Sequence, residues 1–182
     1  DISSIVQSHP ERGLISRGLG RSYGDAAMND GGAALLMERL DRILAFDADT
    51  GELDCEPGVS FEDLIRVFLP RGWFPPVSPG TKFVTVGGAV ACDVHGKNHH
   101  RAGSLGRHVL ELDLLTADGA VRTCSPTRDP DLFHATIGGL GLTGVITRVR
   151  LRMKAKATAM VAVDYDRARD LDSALRIFEE RD

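Results

Sequence analysis

Residues 79–104 read PGTKFVTVGGAVACDVHGKNHHRAGS, and this stretch decides the fold. Its glycines carry no Cβ, so the backbone can come close to a ligand and several N–H groups can converge on one anion. The small residues of 86–91 would let a flat ring or a phosphate approach the start of a helix. The stretch therefore predicts a site for a large anionic ligand.

Two further glycine-rich stretches lie at 13–32 and 138–144. In the first, residues 17–25 read RGLGRSYGD, which places two fixed positive charges and a hydroxyl among backbone donors suited to a pyrophosphate. The second contains Gly139-x-Gly141-x-x-Gly144, which matches the G-x-G-x-x-G fingerprint of dinucleotide-binding folds. That fingerprint must open a helix, whereas the β-branched run 145–147 predicts a strand, so the pattern argues against a Rossmann site.

Hydrophobic periodicity and turn residues predict short strands mixed with helices. The predicted strands are 34–37, 43–47, 52–56, 108–116, 120–124, 144–153 and 158–165, and the predicted helices begin at Ser60, Pro130 and Asp170. In strand 144–153 the alternation puts Arg148, Arg150 and Arg152 on one face, which we expect to be solvated. The glycine-rich texture stops near Lys154, so we predict a first domain at 1–154 and the beginning of a second at 155–182.

The overall composition is that of an ordinary globular protein. The 182 residues are 42 % hydrophobic and 26 % charged, and the net charge of −4 gives no overall positive field that would favour nucleic acid. The three cysteines, Cys55, Cys92 and Cys124, form no CxxC pair, which argues against a disulfide framework and a zinc knuckle.

Four phrases in this order, R-G-x-G-R-S-Y-G-D, P-G-T-x-x-x-T-V-G-G-A-x-A, H-G-K-N-H-H and G-G-x-G-L-T-G, resemble the FAD-binding domain of the vanillyl-alcohol oxidase (PCMH-type) flavoproteins. Within that superfamily, residues 91–104 and the later L-L-T-A-D-G are most similar to the decaprenylphosphoryl-β-D-ribose 2-oxidases. The resemblance runs from about Gly13 to Met153. It implies an α+β domain of two small β-sheets with flanking helices, followed by the start of an α+β substrate domain.

The resemblance also implies an FAD site. The residues expected to bind FAD are Arg17, Gly18, Leu19, Gly20, Arg21, Ser22, Tyr23, Gly80, Thr81, Val84, Gly87, Gly88, Cys92, His95, Gly96, Asn98, Gly103, Val145 and Ile146. We expect His95 to lie beside the flavin, where it would tune the ring or orient a substrate hydroxyl. Covalent members of the superfamily attach the flavin to a histidine, and the matching position here is Arg21, so we expect non-covalent FAD.

The implied reaction is oxidation of the 2-hydroxyl of a polyprenylphosphoryl ribose to a ketone, in the synthesis of cell-wall arabinan precursors. A separate NAD(P)H-dependent keto-reductase would complete the epimerisation. The family's catalytic base lies in a C-terminal domain, so we expect this chain to bind FAD without turning over substrate. An actinobacterial protein in the cytoplasm or at the membrane is implied, with peripheral membrane association through the lipid substrate.

Alternatives remain open from the residues alone. Cys92, His95, His99 and His100 have a spacing that could hold a metal ion, although the flanking glycines and Lys97 suit an anionic cofactor better, and we expect no metal. His95 could instead be an ordinary loop histidine, and Cys92 a small packed residue rather than a nucleophile. Tyr23 could stack on a ring or fill the core. A sugar-alcohol or lactone oxidase, or a non-catalytic binding module on this scaffold, would share many of these features.

Overall fold

The computed structural model describes residues 2–8 and 13–181. Its helices are α1 (Ile2–Gln7), α2 (Phe61–Phe68), α3 (Val86–Ala91), α4 (His99–Ala102), α5 (Pro130–Thr136) and α6 (Leu171–Arg181). Its strands are β1 (Leu14–Arg17), β2 (Ala33–Leu36), β3 (Ile43–Phe46), β4 (Glu52–Cys55), β5 (Trp73–Phe74), β6 (Val109–Leu115), β7 (Val121–Cys124), β8 (Val145–Arg152) and β9 (Lys154–Ala155). The α+β class predicted from the sequence is confirmed.

Three sheets hold these strands together. The largest is antiparallel with the order β3-β4-β8-β6-β7, while β1 and β2 form a parallel pair and β5 and β9 an antiparallel pair. Both predicted hairpins, β3–β4 and β6–β7, are present with turns at Asp49–Gly51 and Asp118–Gly119. The long strand β8 lies in the middle of the large sheet, between β4 and β6.

Helix α2 covers this sheet because its sequence signals are strong. Ser60 caps it, accepting a hydrogen bond from Asp63 N at 3.0 Å, and the Asp63 carboxylate accepts one from Ser60 N in return. Leu64 and Phe68 are buried from the same face, as their spacing predicts. They pack in one continuous core with β4, β8 and α3.

The prediction of a solvated arginine face on β8 is wrong for Arg148, which is 23 % exposed, whereas Arg150 is 40 % exposed and still reaches water. Arg148 and Arg150 both pair with Asp54 of β4, at 3.1 and 2.7 Å, and Arg148 also pairs with Glu111 of β6 at 2.8 Å. Arg152 is more than half exposed and pairs with an acid at the edge. The neighbouring strands place a carboxylate opposite each guanidinium, and this pairing is not visible in β8 alone.

Strand β8 also departs from simple alternation. Its pairing with β6 shifts between Asp113 and Leu114, which leaves Thr147 as an extra residue. Ile146 therefore packs in the main core with Val149, instead of sharing the arginine face. The irregularity turns Ile146 towards the candidate site described below.

The segment beyond β9 differs from the prediction in one respect. Residues 158–165, predicted as a strand, have no regular structure and are exposed, because no neighbouring strand among the described residues pairs with them. Helix α6 is present close to the predicted bounds. The domain boundary at 154/155 stays a prediction, and β9 at that point pairs with β5. In the ranges 2–8 and 13–181, none of the helices is both long and apolar enough to cross a membrane.

Candidate cofactor-binding site

Helix α3 begins at the glycine pair of the stretch that decides the fold. Thr85 caps it and accepts a hydrogen bond from Gly88 N at 3.3 Å. The N–H groups of Val86 and Gly87 donate to Val59 O and Pro57 O, both at 2.8 Å. The backbone N–H groups of the first turn of α3 are thus already hydrogen-bonded within the protein. Helix α3 therefore offers a ligand a backbone surface that it can approach closely, and few free N–H donors for a phosphate.

Free donors lie in the neighbouring loop after β1. Within the described ranges, the backbone N–H groups of residues 19–23 donate no hydrogen bond to another residue. The Arg21 guanidinium lies across this loop, donating to Leu19 O at 2.8 Å. Arg17 lies against the same loop, since a Cβ built on Gly20 would be 2.8 Å from Arg17 Nη2. These five peptide donors and two guanidinium groups together make a surface whose chemistry suits an anion.

The loop and the helix meet at Gly18. A Cβ built there would lie 2.3 Å from Thr85 Oγ1, so only glycine lets the loop rest on the cap of α3. This contact places the unpaired donors beside the N-terminal end of the helix. At the other end, Leu140 N donates to Ala91 O at 2.8 Å, which holds the loop 138–144 against the last turn of α3.

A cavity of about 480 Å³ lies along α3 between these two loops. Its volume is in the range of small-molecule sites. It is lined by Ser16, Gly18, Leu19, Gly20, Arg21, Ser22, Tyr23, Ala26, Ala27, Met37, Pro57, Pro79, Gly80, Thr81, Val84, Thr85, Gly87, Gly88, Ala89, Ala91, Cys92, Val94, Leu140, Gly141, Gly144 and Ile146. Donors and charges occupy the Gly18 end, and apolar side chains dominate the Leu140 end, so the cavity suits a ligand with an anionic group and a flat apolar ring.

The two glycines of α3 have different roles in this wall. Gly87 is buried, and a Cβ there would lie 2.6 Å from Pro57 Cβ, so this glycine allows the helix to pack on the protein. Gly88 is exposed and lines the cavity, and among the described residues outside the helix backbone a Cβ there would meet Thr85 Oγ1, at 3.0 Å, and no other atom within 4 Å. Gly88 thus keeps the cavity open, while Gly87 closes the core.

Thirteen of the nineteen residues predicted to bind FAD line this cavity. They are Gly18, Leu19, Gly20, Arg21, Ser22, Tyr23, Gly80, Thr81, Val84, Gly87, Gly88, Cys92 and Ile146. Tyr23 is 97 % exposed, which rules out the core-filling alternative in this structure. Cys92 is exposed as well, rather than packed as a small core residue, and partial burial raises the pKa of its thiol.

The other six do not line the cavity: Arg17, His95, Gly96, Asn98, Gly103 and Val145. Gly96 is buried against Ser78 O, Asn98 Nδ2 donates to Pro76 O at 3.3 Å, and His95 pairs with Ser104 in an isolated bridge. These contacts fix the H-G-K-N-H-H segment on the protein. The exposed ring of His95 lies edge-on to His99, with ring centroids 5.4 Å apart. Among the residues the structure describes, no three His, Cys, Asp or Glu side chains are grouped to hold a metal ion.

Sequence reasoning missed half of the lining. The missed residues are Ser16, Ala26, Ala27, Met37, Pro57, Pro79, Thr85, Ala89, Ala91, Val94, Leu140, Gly141 and Gly144. Thr85 could have been found, because a threonine before a helical run is a cap signal. Met37 and Pro57 come from distant parts of the chain, and nothing in their local sequence indicates the cavity.

A buried carboxylate supports the Pro57 wall. Glu56 accepts hydrogen bonds from Arg42 N at 2.9 Å and from Arg42 Nη2 at 2.6 Å. The side-chain hydrogen bond from Arg42 holds the pKa of Glu56 below its ordinary value of 4.5. Because the folded protein favours the charged form, this stabilisation is complete above the ordinary pKa and is lost as the pH falls through the lowered one.

We therefore expect Glu56→Gln to be less stable than the wild type at about pH 7 and to lose that difference as the pH falls below the ordinary pKa of Glu56. Thermal unfolding midpoints across this range measure it. Glu62→Gln is the matched control, because Glu62 forms an exposed ion pair with Lys82 and should change the midpoint little at any pH. A difference for Glu56→Gln that is constant with pH would contradict the role given to Arg42.

The fold and this cavity define the class of protein: an α+β cofactor-binding domain rather than a Rossmann domain. A profile described as FAD binding domain matches residues 1–125, and the chain belongs to this PCMH-type family of FAD-binding oxidoreductases, with FAD as its cofactor. The chain is 51 % identical over 165 residues to decaprenylphosphoryl-beta-D-ribose oxidase of Mycolicibacterium smegmatis, covering 90 % of this chain and 36 % of that protein.

More distant relatives include plant enzymes. Cytokinin dehydrogenase 4 of Arabidopsis thaliana is 32 % identical over 145 residues, covering 77 % of this chain and 28 % of that protein. Cytokinin dehydrogenase 6 of Oryza sativa subsp. japonica is 33 % identical over 148 residues, covering 78 % and 28 %. The chain thus spans about a third of the length of these relatives.

Proposed function

We propose that this chain is the cofactor-binding part of an oxidoreductase that oxidises the 2-hydroxyl of a polyprenylphosphoryl ribose to a ketone, in the synthesis of cell-wall arabinan precursors. The observation that carries the proposal is the 51 % identity over 165 residues to a decaprenylphosphoryl-ribose oxidase. The plant relatives are identical to the chain at about a third of the aligned positions, and that distance leaves room for a different substrate.

We further propose that FAD occupies the cavity along α3. The unpaired N–H groups of residues 19–23 would donate to its pyrophosphate, and Arg17 and Arg21 would balance its charge. The apolar end at Ala91 and Leu140 would hold a ring and exclude water from it. When bound, FAD supplies a ring that accepts a hydride from the carbinol carbon.

The proton balance of this reaction needs a base for the hydroxyl. His95 is our candidate for a residue that orients this hydroxyl, because its ring is exposed and the segment that carries it is fixed on the protein. The base that accepts the proton would come from a part of the protein outside this chain. The chain alone would then hold FAD without turnover.

Two partners follow from the proposed product. A 2-keto sugar must be reduced again to give the epimer, which calls for an NAD(P)H-dependent keto-reductase. A polyprenyl chain requires a lipid surface, so we propose peripheral association with the membrane of an actinobacterium, in line with the organism of the mycobacterial relative.

The test uses the whole gene product, mixed without oxygen with polyprenylphosphoryl ribose. We expect loss of the visible flavin absorption and appearance of a 2-keto product by mass spectrometry. Flavin that is reduced by a simple sugar alcohol or a lactone, and not by the prenylated sugar, would overturn the substrate. Purified protein that shows no flavin bands even after FAD is added would favour a non-catalytic module.

The tether position gives a separate prediction. Arg21 stands where covalent members of the superfamily carry a histidine, and a guanidinium forms no such flavin bond. We expect acid or denaturant to release all flavin into the supernatant after the protein is precipitated. Arg21→Ala serves as the comparison and should release its flavin equally, with weaker binding beforehand. Yellow colour that stays with the precipitate would refute non-covalent binding.

A further inference from the structure

Leu140 has an unusual backbone conformation for its residue type. Its φ is +54°, in the left-handed region. There a side chain with a Cβ costs free energy, and asparagine tolerates this region better than leucine does. The segment 138–144 has glycine at positions 138, 139, 141 and 144. Position 140, where glycine would adopt the left-handed conformation without strain, is nevertheless leucine. A strained leucine beside glycines calls for a reason other than the turn itself.

Hydrogen bonds to α3 and its neighbourhood hold Leu140 in this conformation. Its N–H donates to Ala91 O at 2.8 Å, and Gly138 N donates to Val90 O at 3.0 Å. Leu142 N donates to Gly139 O at 3.0 Å, which closes the loop on itself. The strain is therefore imposed by the attachment of the loop to the last turn of α3.

The result of this conformation is the position of the side chain. Leu140 lines the cavity and is 47 % exposed, so about half of its surface has no protein partner. Leu142, two residues along, is 86 % exposed, has no left-handed backbone and does not line the cavity. The strain thus coincides with the one of these two leucines that lines the cavity.

We propose that Leu140 is a cofactor-positioning residue: the strained backbone presents its side chain as a packing surface for a ring of bound FAD. This rests on the proposed placement of FAD in the cavity along α3. The two possible roles predict opposite changes in the stability of the cofactor-free protein when the leucine is replaced. A leucine that packs on the protein stabilises it, whereas a leucine that packs on the cofactor lowers its stability and raises the affinity for the cofactor.

The experiment measures both quantities for Leu140→Asn, because asparagine tolerates the left-handed region and lacks the apolar surface. We expect the unfolding midpoint of the FAD-free protein to rise by about 2 °C and the FAD dissociation constant to increase about tenfold. A shift of the visible flavin bands would identify the ring as the isoalloxazine, and weaker binding without a shift would identify it as the adenine; either supports the proposal.

Leu142→Asn is the matched control and should leave FAD affinity unchanged. Unchanged affinity in Leu140→Asn, or a lower midpoint together with weaker binding, would overturn the proposal, since the second result describes an ordinary structural residue. Gly88→Val separates this failure from failure of the site. If Gly88→Val loses FAD while Leu140→Asn keeps it, only the role of Leu140 is wrong; if both keep FAD, the placement of FAD is wrong.

Discussion

Gly88→Val is expected to weaken FAD binding strongly while the domain stays folded. The new side chain would project into the cavity, because Thr85 Oγ1 is the nearest atom to a Cβ at this position among the described residues outside the helix backbone. Valine is a better helix former than glycine, so α3 itself should not suffer. We expect FAD affinity to fall by about 100-fold, the scale of an overpacking penalty of about 3 kcal/mol. Fluorescence titration of the cofactor-free protein with FAD measures this change.

Two comparison variants make this result specific. Ala135→Val creates the same side chain at an exposed position of α5 outside the cavity lining and should keep FAD. Gly87→Ala should instead lower the unfolding midpoint, because its Cβ would collide with Pro57. Normal FAD affinity in Gly88→Val would show that the cofactor lies elsewhere.

Asp54→Ala is expected to destabilise the folded domain strongly. Its carboxylate lies between Arg148 and Arg150 and is 11 % exposed, so its removal leaves two partly buried guanidinium groups with fewer partners. Loss of one member of a buried pair costs about 3–5 kcal/mol, but Arg150 is 40 % exposed and can reach water. We therefore expect a loss of about 2 kcal/mol in the free energy of unfolding, measured with urea.

Glu52→Ala is the control for Asp54→Ala. Glu52 pairs with Arg152 on the same sheet, but both side chains are more exposed, and such pairs contribute less than about 1 kcal/mol. The arginines also lie on the face of β8 opposite the core that contains α3, so FAD affinity should be the same in both variants. Equal destabilisation by the two substitutions would show that burial of Asp54 contributes nothing.

The elements that local signals specify were predicted well. The two hairpins follow from the Asp-Thr-Gly and Asp-Gly turns, and α2 follows from Ser60 with the acids of its first turn. The elements that were predicted incorrectly depend on contacts with residues that are distant in sequence. Residues 158–165 carry a strand pattern, but no strand among the described residues pairs with them. The arginines of β8 carry a surface pattern, and their acidic partner Asp54 is not visible locally because it lies 96 residues from Arg150.

The candidate site divides in the same way. The glycines at 18, 20, 80, 87 and 88 were predicted from the sequence because glycines are clustered in these short stretches. Leu140 was not, because its importance lies in a backbone angle that its residue type argues against. The H-G-K-N-H-H segment shows the opposite case: a conspicuous sequence whose Gly96 and Asn98 contact the protein instead of the cavity.

The unpaired donors of residues 19–23 have a consequence for the protein in the cell. Among the described residues these peptide N–H groups find no acceptor, so water or a ligand must satisfy them, and with FAD in the proposed position the domain would be a more completely bonded structure. A ligand at 100 times its dissociation constant adds about 2.7 kcal/mol to the stability of the folded state. The amount of folded, protease-resistant domain would then follow the supply of flavin nucleotide, and FAD would act as part of the fold as well as part of the chemistry.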